Sequence, residues 1–160
     1  MNQILRSGSP MNRTLVFSAL IAAATMASPA MAERAPAAAL VPARSLAGAF
    51  LAAETARAEN DFDAAVKYYG DALSFDPDNP AILDSMGWVL FKLDRSEQAL
   101  PYLERAAGAD FNAEIVAHLI EVLWSLDRTE AASDWVERGA EAFADDPVFR
   151  ATLDRLGLAP

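Results

Sequence analysis

Residues 93–99, with the sequence LDRSEQA, recur 33 positions later as residues 126–132, with the sequence LDRTEAA. The similarity continues upstream, because Leu90 aligns with Leu123 at the same interval. A repeat of this length is typical of stacked helical hairpins, in which each unit buries its apolar face against its neighbours. The pattern therefore indicates a binding protein rather than an enzyme.

The N-terminus has the pattern of a secretory signal peptide. Arg6 and Arg13 supply positive charge, residues 15–26 are uncharged, and residues 30–32 (AMA) form a small-x-small cleavage site. We predict a signal peptide at residues 1–32, with translation starting at Met1 or Met11. An uncleaved anchor is the alternative, but the apolar stretch is shorter than the about 20 residues that span a bilayer. The expected location is therefore the periplasm of a Gram-negative-type bacterium, with no membrane anchor after cleavage.

The remainder of the chain is strongly acidic. Without the two arginines of the signal, it carries 11 Lys and Arg residues against 23 Asp and Glu residues. This balance makes nucleic acid an unexpected partner and favours a basic one. The chain has no cysteine, which excludes disulfides, thiolate metal sites and a cysteine nucleophile. Residues 33–44 contain prolines and alanines without an apolar stripe, so we predict a flexible lead-in there.

Two proline-containing breaks mark helix starts. Asn79 precedes Pro80 and Asp146 precedes Pro147. Each pair places a side-chain acceptor at the N-cap and a proline at the first helical position, where its missing N–H has no cost. Gly157 follows the last apolar residues and suits a left-handed helix C-terminus. No segment alternates like a strand, so we expect helices throughout.

One face of the helix that begins at Pro80 carries large apolar residues, with Gly87 beside them. A glycine here lets the partner helix approach closely, and that helix supplies small and large apolar residues at matching spacing. The two series are Leu83, Met86 and Leu90 on the first helix, and Ala99, Leu103 and Ala106 on the second.

This arrangement resembles the tetratricopeptide repeat, and residues 61–80 (DFDAAVKYYGDALSFDPDNP) are similar to the second half of such a repeat. The resemblance implies an all-α, right-handed α-solenoid of about three helical hairpins followed by a C-terminal capping helix. We assign this repeat domain to residues 45–156, with units at about 46–79, 80–112 and 113–146 and a capping helix at 147–156.

The third unit departs from the family pattern at three positions. Ile120 stands where the second unit has Gly87, Gly139 stands where it has Ala106, and Ala144 stands where the family usually has a proline. Terminal repeats commonly deviate because they cap the stack. We therefore expect a third hairpin whose packing angle the pattern does not fix.

Members of this family generally use the first helix of each unit to line a groove that holds a peptide or partner segment. By resemblance, we predict a partner-binding face on these helices, opposite the core stripe. Its aromatic residues are expected to supply apolar contact; packing between adjacent hairpins is the alternative for them. The predicted residues are Asp84, Trp88, Phe91 and Lys92 in the second unit and His118, Glu121 and Trp124 in the third, with Phe50, Glu54 and Arg57 as their equivalents in the first.

The expected partner is a protein or peptide with a basic or apolar segment. The best-known subtype of the family holds a C-terminal carboxylate with lysine and asparagine side chains on these inner helices. This chain has only Lys92 there, surrounded by acids, so that specificity is not carried over.

Motifs for catalysis are missing from the sequence. It contains no glycine-rich phosphate loop, serine elbow or dinucleotide fingerprint, so we expect no enzymatic activity and no cofactor. His118 shares a helix face with Glu114 and Glu121, but zinc normally takes three protein ligands with more than one histidine or cysteine, so we predict no metal site. The main alternative function is a self-associating or docking subunit of an envelope assembly. An unrecognised enzyme or a metal site with a single histidine is a remote alternative.

Overall fold

The computed structural model describes residues 45–158, which form seven α-helices and no β-strand. The predicted signal peptide at residues 1–32 and the predicted lead-in at residues 33–44 lie outside the described residues. None of the helices within residues 45–158 is long and apolar enough to cross a bilayer. The all-α repeat fold is confirmed. Its helices are α1 (Leu46–Ala58), α2 (Phe62–Phe75), α3 (Pro80–Lys92), α4 (Ser96–Ala109), α5 (Ala113–Ser125), α6 (Thr129–Phe143) and α7 (Pro147–Leu156).

The helix termini form as the sequence predicts. The side chains of Asn79 and Asp146 accept hydrogen bonds from backbone N–H groups in the first turns of α3 and α7. Pro80 and Pro147 occupy the first helical positions. Gly157 ends α7 in the left-handed region, with φ of 70°. These local signals fix where the second hairpin and the capping helix begin.

The turn inside each hairpin uses the same backbone conformation. Asn60, Asp94 and Asp127 have φ values of 60°, 59° and 56° and join α1 to α2, α3 to α4, and α5 to α6. Asparagine and aspartate tolerate this left-handed conformation better than other non-glycine residues. The three hairpins therefore share one turn geometry, which explains why acidic and amide residues punctuate the repeat.

The second hairpin is held by a glycine seam. A Cβ atom at Gly87 would lie 2.5 Å from Cγ of Leu103, so only glycine admits this leucine at its present depth. Leu103 is fully buried in the main apolar cluster, which α1 to α6 all supply. The small-into-large packing predicted for α3 and α4 is confirmed.

The third hairpin uses its glycine differently. The capping helix α7 packs chiefly against α5, where buried Phe149 joins Val116, Ile120 and Leu153 in a second apolar cluster. A Cβ atom at Gly139 would lie 2.3 Å from Cε2 of Phe149. Ile120 and Gly139, two of the three departures from the repeat pattern, therefore form the seat of the capping helix.

Candidate functional site

A groove of about 410 Å³ runs across the first helices of all three hairpins. We call it the inner groove. Its walls come from α1, α3 and α5 and from the connection that precedes α5. The lining residues are Phe50, Glu54 and Arg57 of α1; Pro80, Ala81, Asp84, Ser85 and Trp88 of α3; Asp110 and Asn112 of the connection; and Glu114, Ile115 and His118 of α5.

The α1 wall is built on a buried tyrosine from the neighbouring helix. The hydroxyl of Tyr69 donates to Glu54, and Nη2 and Nε of Arg57 donate to the same carboxylate at 2.6 and 3.1 Å. Burial alone would raise the pKa of Glu54, but the hydrogen bonds from Arg57 and Tyr69 outweigh it and hold that pKa below its ordinary value. Burial, followed by the hydrogen bond to Glu54, raises the pKa of Tyr69 to about 12.

A second contact joins the second and third hairpins in the middle of the groove. Nδ1 of His118 lies 2.9 Å from Oδ1 of Asp84, and both side chains are only 13% and 12% exposed. The His118 ring stacks on Trp88, with centroids 4.2 Å apart and an interplanar angle of 16°. Nζ of Lys92 lies 5.0 Å from the Trp88 ring centroid. Four predicted site residues are therefore brought together, although Lys92 does not line the groove itself.

The other three predicted residues lie outside the groove lining. Phe91 and Trp124 are partly buried against the main apolar cluster, and the Phe91 ring lies 5.4 Å from the Trp88 ring. Glu121 forms an ion pair with Arg155 of the capping helix. Glu121 therefore joins α5 to α7, and Phe91 and Trp124 contribute to the apolar core.

The α5 end of the groove is the more acidic end. Glu114 has no ion-pair partner within residues 45–158, and Asp110 accepts a hydrogen bond from Nδ2 of Asn112 at 2.7 Å. At the other end, Arg57 forms an ion pair with Glu54, so the positive charge balances the negative one. The groove therefore presents four carboxylates against one guanidinium, with Phe50 and Trp88 as its aromatic surfaces.

Sequence reasoning missed several residues of this site. Asp110, Asn112 and Ile115 line the groove, and Tyr69 supports its wall from α2. Asn112 had a detectable signal, because its side chain caps α5 in the same way that Asn79 caps α3. The contact from Tyr69 had no such signal, because helical periodicity does not show which residue a buried hydroxyl reaches.

The described part of the chain contains no group of three or more histidine, cysteine, aspartate or glutamate residues arranged to hold a metal ion. Of the triad considered from the sequence, His118 contacts Asp84 and Glu121 contacts Arg155. The site is thus a polar and aromatic groove on a helical repeat.

Such a groove on stacked helical hairpins defines an α-solenoid interaction module. Residues 56–115 match the family model described as tetratricopeptide repeat. Over these residues the resemblance to the tetratricopeptide repeat is confirmed, and the fold matches solved tetratricopeptide repeat structures. The comparison with curated proteins gave no match.

Solved structures with the same fold share little sequence with this chain. The first tetratricopeptide domain of Spaghetti (RPAP3), bound to the HSP90 peptide SRMEEVD, is 16% identical with a TM-score of 0.64, over 73% of this chain and 94% of that one. The Sgt2 domain from Aspergillus fumigatus is 20% identical with a TM-score of 0.64, over 73% and 80%. YrrB, described as having an unusual peptide-binding site, is 21% identical with a TM-score of 0.59, over 71% and 61%.

Proposed function

We propose that this protein is a non-catalytic interaction scaffold whose inner groove holds a basic or apolar segment of a partner protein. The observation that carries the proposal is the composition of the groove: two aromatic surfaces and four carboxylates against one guanidinium. The family is one of protein-interaction modules, and two of the similar structures are described with a bound peptide or a peptide-binding site.

The apolar part of the proposal rests on Phe50 and Trp88. The two rings lie on different helices, α1 and α3, and both are only partly buried. Stacking on His118 fixes the Trp88 indole, so the ring is already oriented when a partner arrives. A preorganised aromatic surface contributes to affinity because little side-chain entropy is lost on binding.

The basic part of the proposal rests on charge. The peptide bound to Spaghetti (RPAP3) is acidic, whereas the inner groove here would repel such a segment. Arg57 is already paired with Glu54, and Asp84 contacts His118. Glu114 and Asp110 are therefore the groove carboxylates that contact no basic side chain. A lysine or arginine side chain of a partner would complement these two carboxylates.

The proposed place of action comes from the sequence alone. The predicted signal peptide at residues 1–32 leads us to propose an exported, periplasmic scaffold. Immunoblotting of periplasmic and cytoplasmic fractions, with N-terminal sequencing of the processed protein, would test this. A mature protein that begins at Glu33 is expected.

The binding proposal is tested by NMR titration of residues 33–160 with two peptides, acetyl-KLFKLSG-amide and its charge reversal acetyl-ELFELSG-amide. The chain has three tryptophans, so three indole N–H signals separate Trp88 of the groove from Trp124 and Trp135. We expect the basic peptide to shift the Trp88 signal and to bind at least about threefold more tightly than the acidic one.

A matched pair of variants then tests the charge. Glu114 and Glu130 are both exposed and both occupy the second position of a helix, α5 and α6 respectively, but only Glu114 lines the groove. Glu114→Gln should weaken binding of the basic peptide roughly threefold, and Glu130→Gln should leave its affinity unchanged. Equal affinities for both peptides, or equal effects of the two variants, would exclude the proposed charge preference.

Self-association is the second candidate function. Leu51 on α1 and Val148 on α7 are 68% and 46% exposed, and they lie on the first and last helices of the repeat domain. Sedimentation velocity across a hundredfold concentration range tests this candidate. A mass that rises with concentration, and that returns to the monomer in Leu51→Glu, would favour assembly through the exposed surface of α1.

A further inference from the structure

A second surface, independent of the inner groove, combines an arginine with three aromatic rings, one of them exposed. Phe111 lies in the connection between α4 and α5, with its ring centroid 6.3 Å from Trp135 and 5.1 Å from Phe143 of α6. Cζ of Arg138 lies 3.9 Å from the Trp135 centroid and 5.3 Å from the Phe111 centroid. We call these four residues the arginine-covered surface.

This surface is open to solvent. Phe111 is 38% exposed, although its neighbours in the ring cluster are partly buried. A depression of about 390 Å³ lies beside it on α6, lined by Ala131, Asp134, Trp135, Glu137 and Arg138. None of these residues lines the inner groove, so the two sites are separate.

The environment of Arg138 differs from that of the five arginines that form ion pairs within residues 45–158. No carboxylate within residues 45–158 forms an ion pair with Arg138, although Asp134 and Glu137 line the same depression. Its guanidinium instead lies over two aromatic rings. The arginines that form ion pairs are Arg57, Arg95, Arg105, Arg128 and Arg155.

Stacking occupies a face of a guanidinium and leaves its edge N–H donors free. Those donors form a planar fork that matches a carboxylate, and the aromatic support reduces the entropy lost when the fork binds. Phe111 offers apolar area beside the fork. Asp134 and Glu137 would repel a second negative charge, which disfavours phosphate groups and nucleic acid.

We propose that the arginine-covered surface binds a partner segment in which a single carboxylate lies next to a large apolar side chain. The carboxylate pairs with the guanidinium edge of Arg138, and the apolar side chain packs on Phe111. The scaffold then carries two docking sites of opposite charge preference, the inner groove for a basic segment and this surface for an acidic one.

The test uses NMR titration with two neutral-ended peptides that differ by one group, acetyl-GSLEFSG-amide and acetyl-GSLQFSG-amide. We expect the glutamate peptide to shift the Trp135 indole signal and to bind roughly threefold more tightly than the glutamine peptide. A third peptide, acetyl-GSQLF with a free C-terminus, tests whether a chain-terminal carboxylate binds at the same place. Preference for either carboxylate source over the glutamine peptide supports the site.

Variants separate the proposed site from general charge effects. Arg138→Gln should abolish the preference for glutamate, and Arg138→Lys should retain part of it because the charge stays but the fork is lost. Lys67→Gln on α2 also removes one positive charge and should change nothing. Circular dichroism checks that each variant is folded.

Equal shifts of Trp135 with the glutamine peptide and with both carboxylate peptides would overturn the proposal, as would shifts at Trp88 alone or no shift at any tryptophan. Failure here leaves the inner groove untouched, because the basic peptide is read at Trp88 and the acidic peptide at Trp135.

Discussion

The second and third hairpins use the same packing device in different places. In the second hairpin, Gly87 of α3 admits Leu103 of α4, so the glycine closes the hairpin on itself. In the third, Ile120 fills the corresponding position on α5, and Gly139 of α6 admits Phe149 of the capping helix. In both hairpins a glycine makes room for a large side chain of the helix packed against it. In the third hairpin, that side chain belongs to the capping helix.

Adding one methyl group at each glycine tests whether both positions are closely packed. Gly87→Ala and Gly139→Ala should each lower the free energy of unfolding by about 1–3 kcal/mol, because Leu103 and Phe149 are buried and have to shift. Urea denaturation measures the loss. Gly108→Ala in α4 is the control, since no atom lies within 4 Å of its added Cβ, and alanine should stabilise this helix by up to about 1 kcal/mol.

A rescue variant distinguishes the two seats. Phe149→Leu shortens the side chain above residue 139, so the double variant Gly139→Ala/Phe149→Leu should lose less stability than the two single losses added together. Full additivity would mean that Phe149 does not rest on Gly139. A neutral Gly139→Ala would mean that the capping helix is seated loosely.

The first hairpin extends the comparison, because its large buried side chain, Tyr69, carries a hydroxyl that supports the inner groove. The pKa of Tyr69 is raised from 10.0 to about 12, so the stability that the protonated phenol contributes is fully present below pH 10 and is lost as the pH rises to 12.

The pKa of Glu54 is lowered from 4.5, so the stability that its carboxylate contributes is present above pH 4.5 and is lost as the pH falls through the lowered value.

We therefore expect the free energy of unfolding of the unmodified protein to fall more steeply between pH 10 and 12 than that of Tyr69→Phe. At neutral pH the free energy of unfolding of the variant should be lower by about 1 kcal/mol, because Glu54 still accepts hydrogen bonds from Arg57 but no longer from the phenol. Chemical denaturation across this pH range measures both effects. Parallel alkaline limbs would show that the pKa of the Tyr69 phenol is not raised in the folded protein.

The sequence predicted the features that depend on residues close together in the chain. The caps at Asn79 and Asp146 and the left-handed Gly157 follow from local chemistry. Gly87 and Leu103 belong to the same hairpin, so helical spacing and the family resemblance were enough to pair them. The fold class depends on such signals, which explains why it was predictable.

Contacts between hairpins were beyond sequence reasoning. Helical projection turned Trp88 away from its own core stripe, but it did not show that His118, 30 residues later, stacks on it. The projection also placed Glu121 on the predicted binding face, but it did not show that its carboxylate pairs with Arg155 of the cap. Which residues of two stacked helices meet depends on packing across the whole unit. The periodicity of one helix cannot predict these pairs.

The smallest expected effects concern the ion pairs that link successive hairpins. Arg95 precedes α4 and lies 3.3 Å from Asp63 of α2, and Arg128 precedes α6 and lies 2.9 Å from Glu97 of α4. All four side chains are well exposed, so each pair should contribute about 0.2–1 kcal/mol in a double-mutant cycle with alanine, and both couplings should shrink in 1 M salt. If packing at Gly87 and Gly139 is what distinguishes the two hairpins, the two cycles should give similar coupling free energies, because the exposed ion pairs are alike. A coupling well above 1 kcal/mol at Arg128 alone would mean that electrostatics also distinguishes the third hairpin from the second, and the difference between them would no longer rest on packing only.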